Sequence, residues 1–266
     1  MFHEVSFGPL SLRPYSLILG LGAAIAALLA YKHLARAGID GRGERVDLTL
    51  GALLGGIIGA RIVHVLLQWE YFADHLGEAL RLSAGGLNWQ GAALGGLAGL
   101  AIAGRWRGRP LLLLLPAFAL APPVMAAAGW LACAAAACAY GSAVETLAFY
   151  PPLIAVETPD IYGIVEPRYN THLFGILWSL AILALVVAAR RVGLAQHRGL
   201  WLALGLVAIG MFTLGFLRAD RVPTFAGLRA DQWLDAGIAG FGMALFIKGV
   251  PYAPHDRAGA DLPQTG

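Results

Sequence analysis

The stretch PLLLLLPAFALAPPVMAAAGWLACAAAACAY, residues 110–140, decides the fold class. It holds no ionisable side chain other than two cysteines and one tyrosine. About 18 or more consecutive apolar residues can span a bilayer as a helix, and this run is too long for one straight span. Pro116 and the pair Pro122–Pro123 interrupt it. Proline removes a backbone donor and clashes with the preceding turn, so a kinked or broken helix is expected here. Broken helices at membrane depth usually line a cavity.

Working outward, similar apolar blocks recur at 15–31, 46–68, 87–104, 171–189, 199–217 and 232–247. Hydrophobic residues make up 58% of the 266-residue chain and charged residues 13%. Soluble domains carry about 25% charged residues. The reading is an all-α membrane protein of about seven transmembrane helices, with residues 1–250 forming one polytopic domain. Residues 251–266 are polar and rich in proline and glycine, and are expected to form a disordered tail.

Loop charges set an expected orientation. Lys32, Arg36, Arg42 and Arg45 fill the first loop, Arg105, Arg107 and Arg109 the third, and Arg190, Arg191 and Arg198 the fifth. The alternate loops are poorer in basic residues. Positive charge marks the cytoplasmic side, which places the N-terminus outside and the C-terminus inside a bacterial plasma (inner) membrane. Arg218, Arg221 and Arg229 break that trend on the outer side, where anionic lipid headgroups are candidate partners. The net charge of +3 is loop charge and forms no recurring basic face, which argues against nucleic acid as a partner. No basic region precedes an apolar run near the N-terminus, so the first span is expected to act as its own insertion signal.

Small residues are dense at Gly55–Gly56, Gly59–Ala60, Gly91–Ala93, Gly95–Gly96 and Ala126–Gly129, as in helices that approach closely in lipid. Cys133 and Cys138 lie inside one apolar block without His or carboxylate neighbours at ligand spacing. Neither a disulfide nor a metal site is expected from them, and no cofactor is read anywhere in the chain. Ala135–Cys138 mimics a lipobox, but it stands mid-chain in an alanine-rich helix.

Ionisable groups inside spans are costly and mark candidate sites. Arg61 and His64 are one turn apart and share a face. Asn88, Trp89 and Gln90 open the third span, where an amide can cap the helix or bond to a neighbour. Tyr140 closes the fourth block, and Arg218 with Asp220 ends the sixth span, either as an interfacial pair or as a phosphate-binding arginine held by a carboxylate.

Read in order, these segments resemble the prolipoprotein diacylglyceryl transferase family. GPLSLRPYSLILGLG is similar to the family's first span and places its tyrosine at Tyr15. LLGGIIGARIVHVL resembles the run that carries an arginine, here Arg61. SAGGLNWQGAALGG resembles the segment with a histidine after Gly-Gly, and LAPPVMAAAGWLACAAAACAYG resembles the Ala-Pro to Gly-Arg signature. EPRYNTHLF, FTLGFLRAD and LRADQWLDAG follow in the family's order. The resemblance covers most of residues 8–246. It implies transfer of a diacylglyceryl group from phosphatidylglycerol to the lipobox cysteine thiol of a preprolipoprotein, with glycerol phosphate leaving.

The carry-over is incomplete. The histidine falls on Gln90, the signature arginine on Trp130, the signature asparagine on Cys133 and the acidic position on Cys138. An arginine and a glutamate of the sixth span fall near Met211 and Gly215. Tyr15, Arg61, Gly129, Tyr140, Gly141, Asn170, Thr171, Arg218, Asp220 and Gln232 match. The transfer needs a base that yields the thiolate and cations that receive the departing phosphate. His64 and His172 are the candidate bases, and Tyr15, Arg61, Asn88, Gln90, Tyr140, Arg218 and Asp220 the candidate lipid and phosphate contacts. The alternative is a degenerate protein that binds phospholipid without turnover, alone or as a subunit of a membrane complex. A transporter also fits the composition, but it predicts interrupted spans in both halves and only the fourth block shows one.

Overall fold

The computed structural model describes residues 5–7, 10–81 and 85–249. The expected tail, residues 251–266, lies outside the described residues. Among those described, the long helices are α1 (Pro14–Arg36), α2 (Arg42–Leu67), α3 (Trp89–Trp106), α4 (Ala121–Ala136), α5 (Thr171–Arg191), α6 (Gly199–Gly215) and α7 (Ala230–Lys248). By length and apolarity α1, α2 and α5 can each cross a membrane. A fourth candidate span is broken: Leu111–Phe118 meets α4 at 44°. Pro116 sits in the 3-10 turn Leu115–Phe118, and Pro122–Pro123 occupy the first turn of α4, where a missing N–H breaks no helical bond. The protein is therefore a mostly helical membrane protein with three or four candidate spans.

The packing is inverted relative to a water-soluble bundle. Leu54, Ile58, Ile62 and Leu66 on α2 are each more than half exposed, whereas its glycines face a neighbour. Gly51, Gly55 and Gly59 lie against Gly99, Gly95 and Gly91 of α3. A Cβ at five of these six would overlap the partner helix's backbone, and one at Gly51 would overlap the Ala103 side chain. Lipid offers no hydrophobic drive for helix pairing, so contact of this kind comes from close backbone approach. Around it α1 packs on α4, α4 on α5, α5 on α6 and α6 on α7.

Alternating helix directions gather the C-termini of α2, α4 and α6 and the N-termini of α3, α5 and α7 at one end of the bundle. Short antiparallel hairpins decorate an otherwise α-helical chain: Ala155–Pro159 pairs with Val165–Tyr169, and Thr224–Phe225 with Leu228–Arg229.

Cys133 and Cys138 are joined by a disulfide, contrary to the expectation from sequence. That expectation treated the block as helical to Tyr140. The helix instead stops at Ala136, and Ala137 adopts a left-handed φ of 54°. The Cys138 N–H then returns to the Cys133 carbonyl, and the two Cα atoms lie 4.6 Å apart. A straight helix rising about 1.5 Å per residue would have held them too far apart to bridge.

Replacing Gly95 by valine should lower the stability of the detergent-purified protein by about 2 kcal/mol or more, because the Gly55 carbonyl must move away. Gly237→Ala, where nothing lies within 4 Å, should be neutral or stabilising. Denaturant titration followed by circular dichroism checks both.

Candidate functional site

Arg61 lies in the last third of α2 and is 7% exposed. Its Nε donates to the Ala79 carbonyl at 2.7 Å and one Nη to Glu78 at 2.7 Å. The other Nη donates to Gly85 at 2.6 Å and Gly86 at 3.1 Å. Four of the five N–H groups of a guanidinium are thus closed onto backbone carbonyls. The group also lies over the Phe72 ring, 5.3 Å from its centroid. Arg61 shapes the connection between α2 and α3.

His64 joins this group. Its ring meets Phe72 edge-on and lies against the Cα of Gly86. Gly86 has φ 76° and no room for a Cβ, so only glycine fits on both counts. The Asn88 N–H donates to the Ala60 carbonyl at 3.1 Å, and its side chain accepts from the Gly91 N–H, capping α3.

A second group stands where α6 hands over to α7. Arg218 donates to both oxygens of Asp220, at 2.8 and 2.6 Å. Arg229 donates to Asp231 at 3.0 and 3.1 Å, to Asp220 Oδ2 at 3.1 Å and to the Asp220 carbonyl at 2.9 Å. The remaining Nη of Arg218 approaches Asp231 only to 3.7 Å, beyond hydrogen-bond reach. Burial alone would raise the Asp220 carboxyl, but the charges of Arg218 and Arg229 and their hydrogen bonds outweigh it and hold it below its ordinary value. Burial would likewise lower Arg229, and Asp231 with Asp220 reverses the sign.

Gln90 connects this group to α3. It is 1% exposed, too enclosed for a headgroup to reach in this conformation. Its amide donates to Asp235 Oδ1 at 2.6 Å and to the Asp231 carbonyl at 3.2 Å. The Trp89 indole donates to the same Asp235 oxygen at 3.0 Å. The amide of Gln232 donates to the Phe212 carbonyl, and its oxygen accepts from the Arg229 N–H, which fixes the first turn of α7 to α6.

The third component is the segment after the disulfide. Gly141 forms a β-bridge with Arg218, and the Ala219 N–H donates to the Tyr140 carbonyl at 3.0 Å. Tyr140 is buried beneath Arg168, whose guanidinium lies 5.0 Å from the ring centroid and pairs with Asp160 and Glu166. His172, in the first turn of α5, places Nε2 2.7 Å from the Cys138 carbonyl. A carbonyl only accepts, so Nε2 carries the proton and the lone pair sits on Nδ1. Tyr15, half-buried in the first turn of α1, makes no polar contact to these groups among the described residues. Among the same residues no three His, Cys, Asp or Glu side chains converge as metal ligands.

Of the residues singled out from sequence, Arg61, His64 and Asn88 fall together, as do Arg218, Asp220 and Tyr140, with Gln90 bonded to the second group's Asp231. Arg229 stood out only as an outer-side loop charge, and Asp231 and Asp235 not at all. A signal for Asp231 existed: the tetrapeptide Leu-Arg-Ala-Asp occurs at 217–220 and again at 228–231.

Residues 3–248 match the family model described as prolipoprotein diacylglyceryl transferase. The chain belongs to this family. A protein of Mycobacteroides abscessus named phosphatidylglycerol–prolipoprotein diacylglyceryl transferase is 29% identical, across 97% of this chain and 78% of that protein. Proteins of the same name from two strains of Streptococcus pneumoniae are also 29% identical, across 93% of this chain and 95% of theirs. At the position of the transferase signature arginine, the indole of Trp130 lies over the Cα of Gly175 and meets His172 edge-on, with ring centroids 6.4 Å apart. Met211 packs against the same Trp130 cluster.

A carboxyl whose folded pKa is depressed stabilises the fold above its unfolded value, about 3.9, and that stability is lost as pH falls through the folded value. Thermal stability should therefore change little through Asp220 between about pH 5 and pH 8, and fall below about pH 4. Asp220→Asn should cost about 2–3 kcal/mol at neutral pH and flatten the acid limb. Melting temperatures across that range check both.

Proposed function

We propose that the chain is a seven-span transferase of the bacterial plasma (inner) membrane, one polytopic domain with its N-terminus outside and its C-terminus in the cytoplasm. It moves diacylglyceryl from phosphatidylglycerol to the lipobox cysteine of a preprolipoprotein. The relatives' names, which cite phosphatidylglycerol and prolipoprotein, support the substrates. The observation that carries the site is Arg218: among Arg61, Arg218 and Arg229 it alone keeps an Nη without a hydrogen bond, on the strand bridged to Gly141 in the same segment whose Cys138 carbonyl meets His172.

In this reading the lipobox thiol gives its proton to Nδ1 of His172. The thiolate attacks the glyceryl carbon bearing the phosphate ester, forming the C–S bond as the C–O bond breaks. Arg218 receives the negative charge on the departing glycerol phosphate, and the histidine's proton follows to solvent or product. Asp220 and Arg229 keep Arg218 oriented, and Gln90, bonded to Asp235 and Asp231, has a structural part. Arg61 and His64 set the shape of the α2–α3 connection next to the site. The orientation is supported by the disulfide, since such bonds persist in oxidising compartments. It is also supported by the arginines of the opposite end.

Two measurements test the proposal. Purified protein given phosphatidylglycerol labelled in its acyl chains should transfer label to a lipobox peptide in a thioether. His172→Ala and Arg218→Gln should each lower kcat about 10²-fold or more. No product above blank overturns the enzymatic reading, and lipid retained without product would favour the binding alternative. For topology, a cysteine introduced at Tyr162, which is 68% exposed, should react with an impermeant maleimide in intact cells. One at Leu194, 72% exposed, should react only after permeabilisation. The reverse pattern contradicts the orientation.

A further inference from the structure

At the end of the bundle away from Arg218, the C-termini of α1 and α5 and the broken fourth segment border a half-open cavity of about 340 Å³. His33, Arg36, Arg190 and His197 line it, and no carboxylate does. Two acids of this end are engaged elsewhere: Glu44 accepts from Arg109, and Asp47 pairs with Arg107. Arg190 has an Nη that is buried and without a hydrogen-bond partner among the described residues. Arg36 makes no ion pair or hydrogen bond there either, and its charge acts on both Arg190 and His33. A buried guanidinium nitrogen without an acceptor is costly, and the positive charge of the exposed Arg36 nearby adds repulsion to the half-buried Arg190. His33 donates from Nδ1 to the Leu29 carbonyl at 2.7 Å, which leaves the lone pair of Nε2 for a donor.

The opposite wall is apolar. Leu113, Pro116 and Ala117 form it, so the proline break identified in the sequence creates one side of the cavity. The volume exceeds what one inorganic anion fills and lies in the range of small-ligand pockets. Planar guanidinium groups match phosphate oxygens in pairs.

We infer that this cavity binds a phosphate ester anion, held between Arg36 and Arg190, at a site separate from the transfer site. The same chemistry is offered by the headgroup of an anionic phospholipid and by a free phosphate ester, and the probes separate the two.

The full chain in detergent is the material. Native mass spectrometry counts retained phosphatidylglycerol, and equilibrium dialysis measures binding of radiolabelled glycerol phosphate. The double variant R36Q/R190Q should lose one class of bound probe, with affinity down about tenfold or more, as expected for lost charge-assisted bonds. R36K/R190K, which keeps the charge, should retain more binding than the glutamine pair, and R36Q alone serves should the double variant fail to fold. Loss confined to lipid assigns the site to a headgroup, and loss of glycerol phosphate assigns it to the free ester. Label transfer should be unchanged in all three variants, which separates this result from failure at Arg218. Equal binding of both probes by wild type and R36Q/R190Q overturns the inference.

Discussion

Arg218 and Arg229 share Asp220 and Asp231 in a ring of two cations and two anions, and the arrangement at this end of the bundle follows from it. In a low-dielectric setting a guanidinium without an acceptor is expensive, so the groups must close onto one another. Closing them folds the α6–α7 connection back on itself, with Arg229 reaching back nine residues to the Asp220 carbonyl and to the carboxylate that also serves Arg218. The ring fixes the first turn of α7, and that turn presents Asp235 to Trp89 and Gln90 of α3. It also sets the strand of Arg218 against Gly141, which brings the segment after the disulfide, and with it His172, to the same place.

The glycine contact between α2 and α3 governs the neighbouring half of the site. Because the two backbones touch along Gly51–Gly55–Gly59, the start of α3 is held close beneath the end of α2. The intervening chain must turn in a short space, and Arg61 supplies the donors its carbonyls need. Two arginines matched to one family, Arg61 buried and Arg218 half-buried, therefore do different physical work. Arg61 is saturated by backbone and holds a shape. Arg218 is held by carboxylate on one side and keeps donors on the other.

Much of the scaffold was legible in the sequence. Long apolar blocks gave the helices, and Pro116 with Pro122–Pro123 gave the break, because a missing N–H acts locally. The glycine runs read as close-packed faces for the same reason. The disulfide was not legible: it depends on Ala137 entering the left-handed region, which an alanine-rich run does not announce. The work of Arg61 was hidden because its acceptors are carbonyls, which every residue has. Arg168 lies in a loop between apolar blocks, yet it is buried over Tyr140 between Asp160 and Glu166, partners that only the hairpin brings near. Asp235 escaped notice since its donors, Trp89 and Gln90, lie about 146 positions earlier in the chain.

The division between Arg61 and Arg218 is tested most directly by measuring phosphatidylglycerol affinity and folding stability together on Arg61→Gln and Arg218→Gln. Arg218→Gln should weaken lipid binding at the transfer site about tenfold or more, while costing less stability than Arg61→Gln because Asp220 keeps Arg229. Arg61→Gln should lose about 3 kcal/mol or more of stability, since four half-buried carbonyls lose their donors. A stable Arg61→Gln protein that no longer binds lipid, beside an Arg218→Gln protein that binds it normally, would contradict the account.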